Sequence, residues 1–183
     1  MPVEILRPSD NGDLVQLYVY PGGGTHASKL SEVLPDYDAT YIHRYGGTTS
    51  TNYDSYQLTD LGISNIVITN VRVVAIVRRE AMNPGGTYPT TVGLGVRING
   101  LNYYSNDSFS SNSYITIARD FAINPNTGSA WTVASVNGLQ AFLGIGFYNM
   151  AYWQGGLISA RCTQLYVEVT YAAPPSVSTL PAT

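Results

Sequence analysis

Few residues in this chain have the chemistry of a nucleophile or a general base. His26 and His43 are the only histidines among 183 residues, and Cys162 is the only cysteine. Nucleophilic catalysis needs a Ser, Cys or Thr held beside a base, and the strand–turn–helix elbow Gly-x-Ser-x-Gly is absent. Each histidine stands next to small or polar residues near a loop, which predicts surface histidines. Cys162 falls inside a strand pattern, which predicts a packed or half-exposed thiol rather than a nucleophile. A lone cysteine also excludes an internal disulfide and leaves the redox compartment open.

The remaining candidates are oxygen clusters and aromatics. Gly22-Gly23-Gly24-Thr25 lacks the Gly-Lys-Ser/Thr ending of a phosphate loop and reads as a turn. Asp10-Asn11-Gly12-Asp13 is a calcium loop in miniature, to which Asp36 and Asp38 could add carboxylates. Calcium takes about six to eight oxygens, so turn and capping duty is the better reading of these residues. Glycoside hydrolysis needs two acids flanking a sugar, and the spacing of Glu80, Asp107, Asp120 and Glu168 brings no two together. Asn106-Asp107-Ser108 matches a glycosylation sequon at chance level. Tyr103, Tyr104, Tyr114, Tyr148, Tyr152 and Trp153 could stack on sugars or anchor a protein contact, or fill the core and rim of a sheet. No catalytic, cofactor-binding or metal-ligating residue is assigned, and the chain reads as non-enzymatic.

The elements that must position these residues follow from composition and periodicity. Charged residues make up 11% of the chain, against about 25% in ordinary soluble domains. Lys29 is the only lysine, and the net charge of -3 argues against a nucleic-acid or membrane-surface partner. Met1-Pro2-Val3-Glu4 begins no charged-then-apolar signal peptide, and no apolar run reaches a membrane span.

The stretch Asn65–Glu80 is the longest β-branched run and predicts a central strand. Val67, Val71, Val73, Ala75 and Val77 share one parity, broken only by Thr69. Ile5–Pro8 predicts a short edge strand, Ser9–Asp13 a turn, Leu14–Tyr20 a strand, and 25–40 a long loop with a helical turn near Lys29–Val33. Tyr41–Tyr45 and Tyr53–Leu58 follow as modest strands. Val92, Leu94, Val96 and Ile98 share a parity that ends at Asn99-Gly100, a strong hairpin signal, with Leu101–Tyr104 returning before a polar loop at Ser105–Ser113. Tyr114–Ile123 is a strand, Thr132 caps a short helix ending at Gly138, and Leu139–Tyr148 is strand-like. The last strand, Ile158–Tyr171, sets Thr163, Leu165, Val167, Val169 and Tyr171 against Cys162, Gln164, Tyr166, Glu168 and Thr170. The fold class is all-β: a two-sheet antiparallel sandwich of about eight strands, of jelly-roll type, with one short helix. Residues 1–171 form the single domain and 172–183 a proline-containing tail.

Four patches stand out together: Arg7-Pro8 with Gly12-Asp13, Pro35–Tyr41, Asn124–Thr132 with Leu139-Gln140, and Cys162–Tyr171. In this order they resemble a family of small all-β structural proteins from tailed phages. The resemblance implies a virion component, a capsid decoration or other surface protein of jelly-roll architecture. It further implies a homo-oligomer, with a trimer favoured, which contacts a major capsid protein or another virion protein after assembly in the host cytoplasm. This chain departs from the family in carrying Val133-Ala134-Ser135 after Trp131, where acidic residues are usual. A lectin-like module that binds a glycan through its aromatics is the rival reading.

Overall fold

The β-branched run forms β6 (Val67–Ala81), and the alternation near the C-terminal end forms β12 (Gly156–Ala172), paired antiparallel along most of their length. The computed structural model of the chain describes residues 1–44, 50–81, 89–146, 148–150 and 156–174. Around the β6–β12 pair lie β3 (Tyr18–Tyr20), β4 (Tyr41–His43) and β9 (Ile115–Phe121), in the order β3-β4-β12-β6-β9. Two further strands, β1 (Val3–Leu6) and β11 (Tyr148–Met150), also pair with β12 and complete the larger sheet. The smaller sheet contains β2 (Pro8–Val15), β5 (Thr51–Leu58), β10 (Gln140–Gly146), β7 (Thr90–Ile98) and β8 (Leu101–Phe109), in that spatial order.

Eight of these strands interleave as a jelly roll. The order β4-β12-β6-β9 in one sheet faces β5-β10-β7-β8 in the other, so that each of the connections β4–β5, β6–β7, β8–β9 and β10–β12 crosses between sheets. Inward residues of both sheets fill the space between them. Val71, Val73, Ala75, Val77, Leu165, Val167 and Val169 meet Val92, Leu94, Val96, Leu143 and Ile145 there, all buried. The sandwich expected from the periodicity is therefore the architecture found.

Several boundaries differ from the expectations, each for a local reason. Val67 is 44% exposed whereas Ile68 is 5% exposed, the reverse of the predicted parity. Thr170 pairs with Asn70 but Tyr171 pairs with Ile68, so Thr69 is an extra residue whose bulge reverses the facing of the strand. Its Oγ1 donates to the Thr170 carbonyl at 3.2 Å. Thr163 is a second bulge, and it places both Cys162 and Leu165 in the core instead of on opposite faces. Ser9–Asp13 is not a turn but part of β2, whose pairing with β5 slips between Pro8 and Asp10 and again between Asn11 and Val15. Turn-forming residues suit such irregular pairing. The predicted Leu14–Tyr20 strand divides, its first part staying in β2 and its last part crossing to the larger sheet as β3. The helical turn lies at Ala27–Lys29, earlier than predicted, and β8 runs on to Phe109 through most of the predicted polar loop.

Other local signals act as read. Asn99 and Gly100 both adopt positive φ at the β7–β8 turn. The helix α1 (Val133–Asn137) starts in a capping box where Thr132 Oγ1 accepts from the Ser135 amide at 3.0 Å and Ser135 Oγ accepts from the Thr132 amide at 2.9 Å. Among the described residues no helix is long and apolar enough to cross a membrane.

Candidate functional site

The outer face of the larger sheet carries a connected set of charged and aromatic side chains on β3, β4, β6 and β12. Arg78 and Arg161 occupy directly opposite positions on β6 and β12. Two like charges placed this way repel, and Asp38, from the loop before β4, lies between them. Its Oδ1 accepts from Arg161 Nη1 at 3.1 Å and from the Tyr114 hydroxyl at 2.9 Å, and forms an ion pair with Arg78 Nη2 at 2.9 Å. The other prong of Arg161, Nη2, donates to Glu80 Oε1 at 2.6 Å. His43 Nδ1 stands 3.4 Å from Glu80 Oε2.

Aromatic rings enclose these charges. The Arg161 guanidinium lies 4.3 Å from the Tyr41 ring centroid and that of Arg78 lies 5.2 Å from the Tyr114 centroid, both cation–π arrangements. Tyr20 stacks on Tyr41 with centroids 4.7 Å apart and planes 14° apart. Tyr18, Tyr20 and Tyr37 remain 52%, 48% and 51% exposed at the margin. The result is a rigid platform: ion pairs fix the floor, and half-exposed tyrosines border it.

The electrostatics bear on what chemistry is open to these acids. Burial works to raise the Glu80 pKa, but the approach of His43 and the Arg161 guanidinium outweigh it and hold the carboxyl at about 2. Burial likewise works to lower Arg161, and Glu80 with Tyr41 and Asp38 raises it above its ordinary value. Tyr114 is raised well above its usual value, by burial first and then by its hydrogen bond to Asp38. A carboxylate ionised down to such low pH and tied to a permanent cation cannot donate a proton in the neutral range.

The sequence-predicted candidates fall in three groups. First come the histidines, which are not free surface residues. His26 Nδ1 lies 2.6 Å from Oδ2 of Asp54, a fully buried carboxylate. The same Asp54 accepts from the amides of Gln16 at 2.7 Å and Leu17 at 2.9 Å and from the Tyr56 hydroxyl at 2.9 Å. His26 thus ties the loop after β3 to β5, and His43 belongs to the platform. Cys162 is buried as expected, with its thiol pushed up to about 12 by burial.

The acidic residues form the second group, and donors hold them. Asp13 accepts from Gln140 Nε2 at 3.0 Å and from Arg97 Nε at 3.1 Å, hydrogen bonds that lower its pKa. Asp10 accepts from the Asn11 amide, and Asp36 from Thr40 and Thr163. Asp10, Asp13, Asp36 and Asp38 therefore do not converge as calcium ligands, and among the described residues no three His, Cys, Asp or Glu side chains are grouped to hold a metal. Asp107 pairs with Arg119 at 2.6 Å, while Asp120 and Glu168 flank Arg72 Nε at 4.0 and 3.9 Å. The fold thus brings acids together that sequence spacing kept apart, but each time around an arginine.

Of the predicted aromatics, which form the third group, Tyr103 turns inward and donates to Asn126 at 3.0 Å, and Tyr114 joins the platform. Tyr104 lies on the outer face of the smaller sheet. Tyr152, Trp153 and the side chain of Tyr148 lie outside the described residues. Sequence reasoning passed over Tyr18, Tyr20, Tyr41, Arg78 and Arg161. Their signal was present in the alternations Tyr18-x-Tyr20 and Tyr41-x-His43, and in two arginines set within β-branched strands of a charge-poor chain.

No protein-family model matches this chain, and no curated protein sequence matches it. Among solved structures, an arabinose-bound α-L-arabinofuranosidase aligns with 92% of the chain at 13% identity and a TM-score of 0.44. The alignment spans 32% of that enzyme, about a third of its length. A cryo-EM structure of Broad Bean Stain Virus aligns with 94% of the chain and 91% of its own at 16% identity and a TM-score of 0.30. Neither likeness assigns a role to any residue here.

Proposed function

We propose that this chain is a non-enzymatic viral structural protein, a capsid decoration or other virion-surface protein that assembles as a homo-oligomer, with a trimer favoured. The observation that carries the reading is the platform on the larger sheet, where half-exposed Tyr18, Tyr20 and Tyr37 border a locked Arg78–Asp38–Arg161–Glu80 lattice. Tyrosines held this way offer contact area at little entropic cost, and arginine beside them is the usual composition of a binding hot spot. The jelly-roll interleaving and the resemblance of the four sequence patches to tailed-phage structural proteins support the same reading. The rival, a glycan-binding lectin-like module, is favoured by a different face, the aromatic outer side of the smaller sheet.

The test is light scattering on the purified protein over a wide concentration range, with Tyr20→Asp and Tyr37→Asp as interface variants. A closed oligomer that the variants convert to smaller species supports the proposal. A monomer at every concentration, together with unchanged binding of the variants to particles, overturns it.

A further inference from the structure

The outer face of the smaller sheet, on the opposite side of the sandwich, has a different chemistry. Its outward positions on β5, β10, β7 and β8 place Gly144 opposite both Tyr53 and Gly93, and Gly95 opposite both Phe142 and Tyr104. The tyrosine rings lie over these glycines. A Cβ on Gly93 would come within 2.9 Å of Tyr104 Cδ2, and one on Gly144 within 2.9 Å of Tyr53 Cδ1. Phe142 is wholly buried beneath the two rings, with its centroid 4.7 Å from Tyr104 and 5.4 Å from Tyr53. Tyr104 remains 40% exposed.

Charge is nearly absent from this face. Arg97 is the one charged residue at the outward positions of those four strands, and Asp13 neutralises it at 3.1 Å. The polar groups around the rings are amides and hydroxyls. Asn106 rests against Gly93, its Oδ1 lying 3.0 Å from where a Cβ would be. Asn102 meets Arg97 at 2.7 Å, and Thr91 and Ser108 hydroxyls stand 3.3 Å apart.

From this juxtaposition we propose that the Tyr53–Phe142–Tyr104 face binds a neutral saccharide. The C–H face of a sugar ring stacks on an exposed tyrosine ring such as Tyr104, which Tyr53 meets edge to face at 6.2 Å, and its hydroxyls pair with uncharged amide and hydroxyl groups that both donate and accept. An anionic ligand would find no unneutralised cation among these outward positions, and an apolar partner would strand the amides. Aromatic cover of glycines also steadies a sheet by itself, so the experiment must separate a binding face from a purely structural one.

The measurement is affinity electrophoresis in native gels cast with β-glucan, xylan, galactomannan or starch, with alginate as the anionic control. At least one neutral polysaccharide is expected to retard the protein and alginate to leave it unretarded. Tyr104→Ala is expected to weaken that binding at least tenfold, and Asn106→Ala severalfold with an unchanged melting temperature. Val33→Ala, in the exposed loop before β4, is expected to change nothing. Where Tyr104→Ala fails to fold, Asn106→Ala decides. No retardation by any neutral polysaccharide overturns the proposal, as does retardation that survives Asn106→Ala and Tyr104→Ala or is lost with Val33→Ala. Oligomer mass is read separately, so the assembly proposal stands or falls on its own measurement.

Discussion

Arg78 and Arg161 would repel each other across β6 and β12 without the carboxylate of Asp38 between them. Asp38 is half exposed, so solvent screens the pair and limits its worth. Removing it nevertheless leaves two adjacent guanidiniums without their shared carboxylate, and leaves the Tyr114 hydroxyl only the Tyr37 carbonyl at 3.0 Å, so Asp38→Ala is expected to lower stability by about 1–2 kcal/mol. Urea denaturation of the two proteins measures this, and a change indistinguishable from zero would mean that the arginines separate without cost. Glu80 adds a pH dependence of known sign. Its folded pKa of about 2 lies below the ordinary 4.5, so its contribution is fully present above pH 4.5 and is lost as pH falls toward 2. Glu80→Gln should flatten the melting-temperature profile across that window, and an unaltered profile would place the acid sensitivity elsewhere.

Strand positions were legible in the sequence wherever one face is continuously dry, as in β7, where Val92, Leu94, Val96 and Ile98 are all buried. The sequence hid the two bulges, because an extra residue reverses the facing of everything beyond it without changing composition. Thr69 and Thr163 look like polar interruptions in a pattern, and only pairing to a neighbour shows that they shift its phase. The platform was illegible for a related reason. Tyr20, Tyr41, Arg161 and Glu80 come from four strands whose adjacency depends on jelly-roll topology, whereas the hairpin at Asn99-Gly100 needs only its own turn. Two substitutions test the elements. Val73→Asp buries an unpaired charge in β6 and is expected to abolish soluble folded protein. Gly95→Ala would set a Cβ 2.0 Å from the Tyr103 carbonyl oxygen, a backbone contact that can yield only by parting β7 from β8. It is expected to cost more than the roughly 1–3 kcal/mol typical of overpacking. Near-native circular dichroism and melting for either variant would mean that these strands are wrongly placed.

At the scale of the molecule, the sandwich must manage its edges with few charges. Natural edge strands are guarded by lysines, inward charges or bulges. Here β8 has Asp107 drawn toward Arg119, and β2 has its irregular pairing, but the only lysine is Lys29. The strand β1 pairs with β12 along one side only and leaves Val3 and Ile5 nearly half exposed. Those two side chains stand opposite Thr170 and Glu168, so they extend the outer face that also bears the tyrosine platform. A short apolar edge continuous with such a platform is suited to contact with another copy, and closed symmetry would hide it without leading to a fibre. Ile5→Lys adds the missing gatekeeper at an exposed site and should leave the melting temperature of the fold within a degree or two. It is expected to lower the oligomer mass measured by light scattering at a given concentration. Shortening the chain after Pro174, which keeps all of β12, is expected to weaken the assembly or its hold on a particle as well. An unchanged mass for Ile5→Lys would remove β1 from the interface, and unchanged particle binding by the shortened chain would remove the tail.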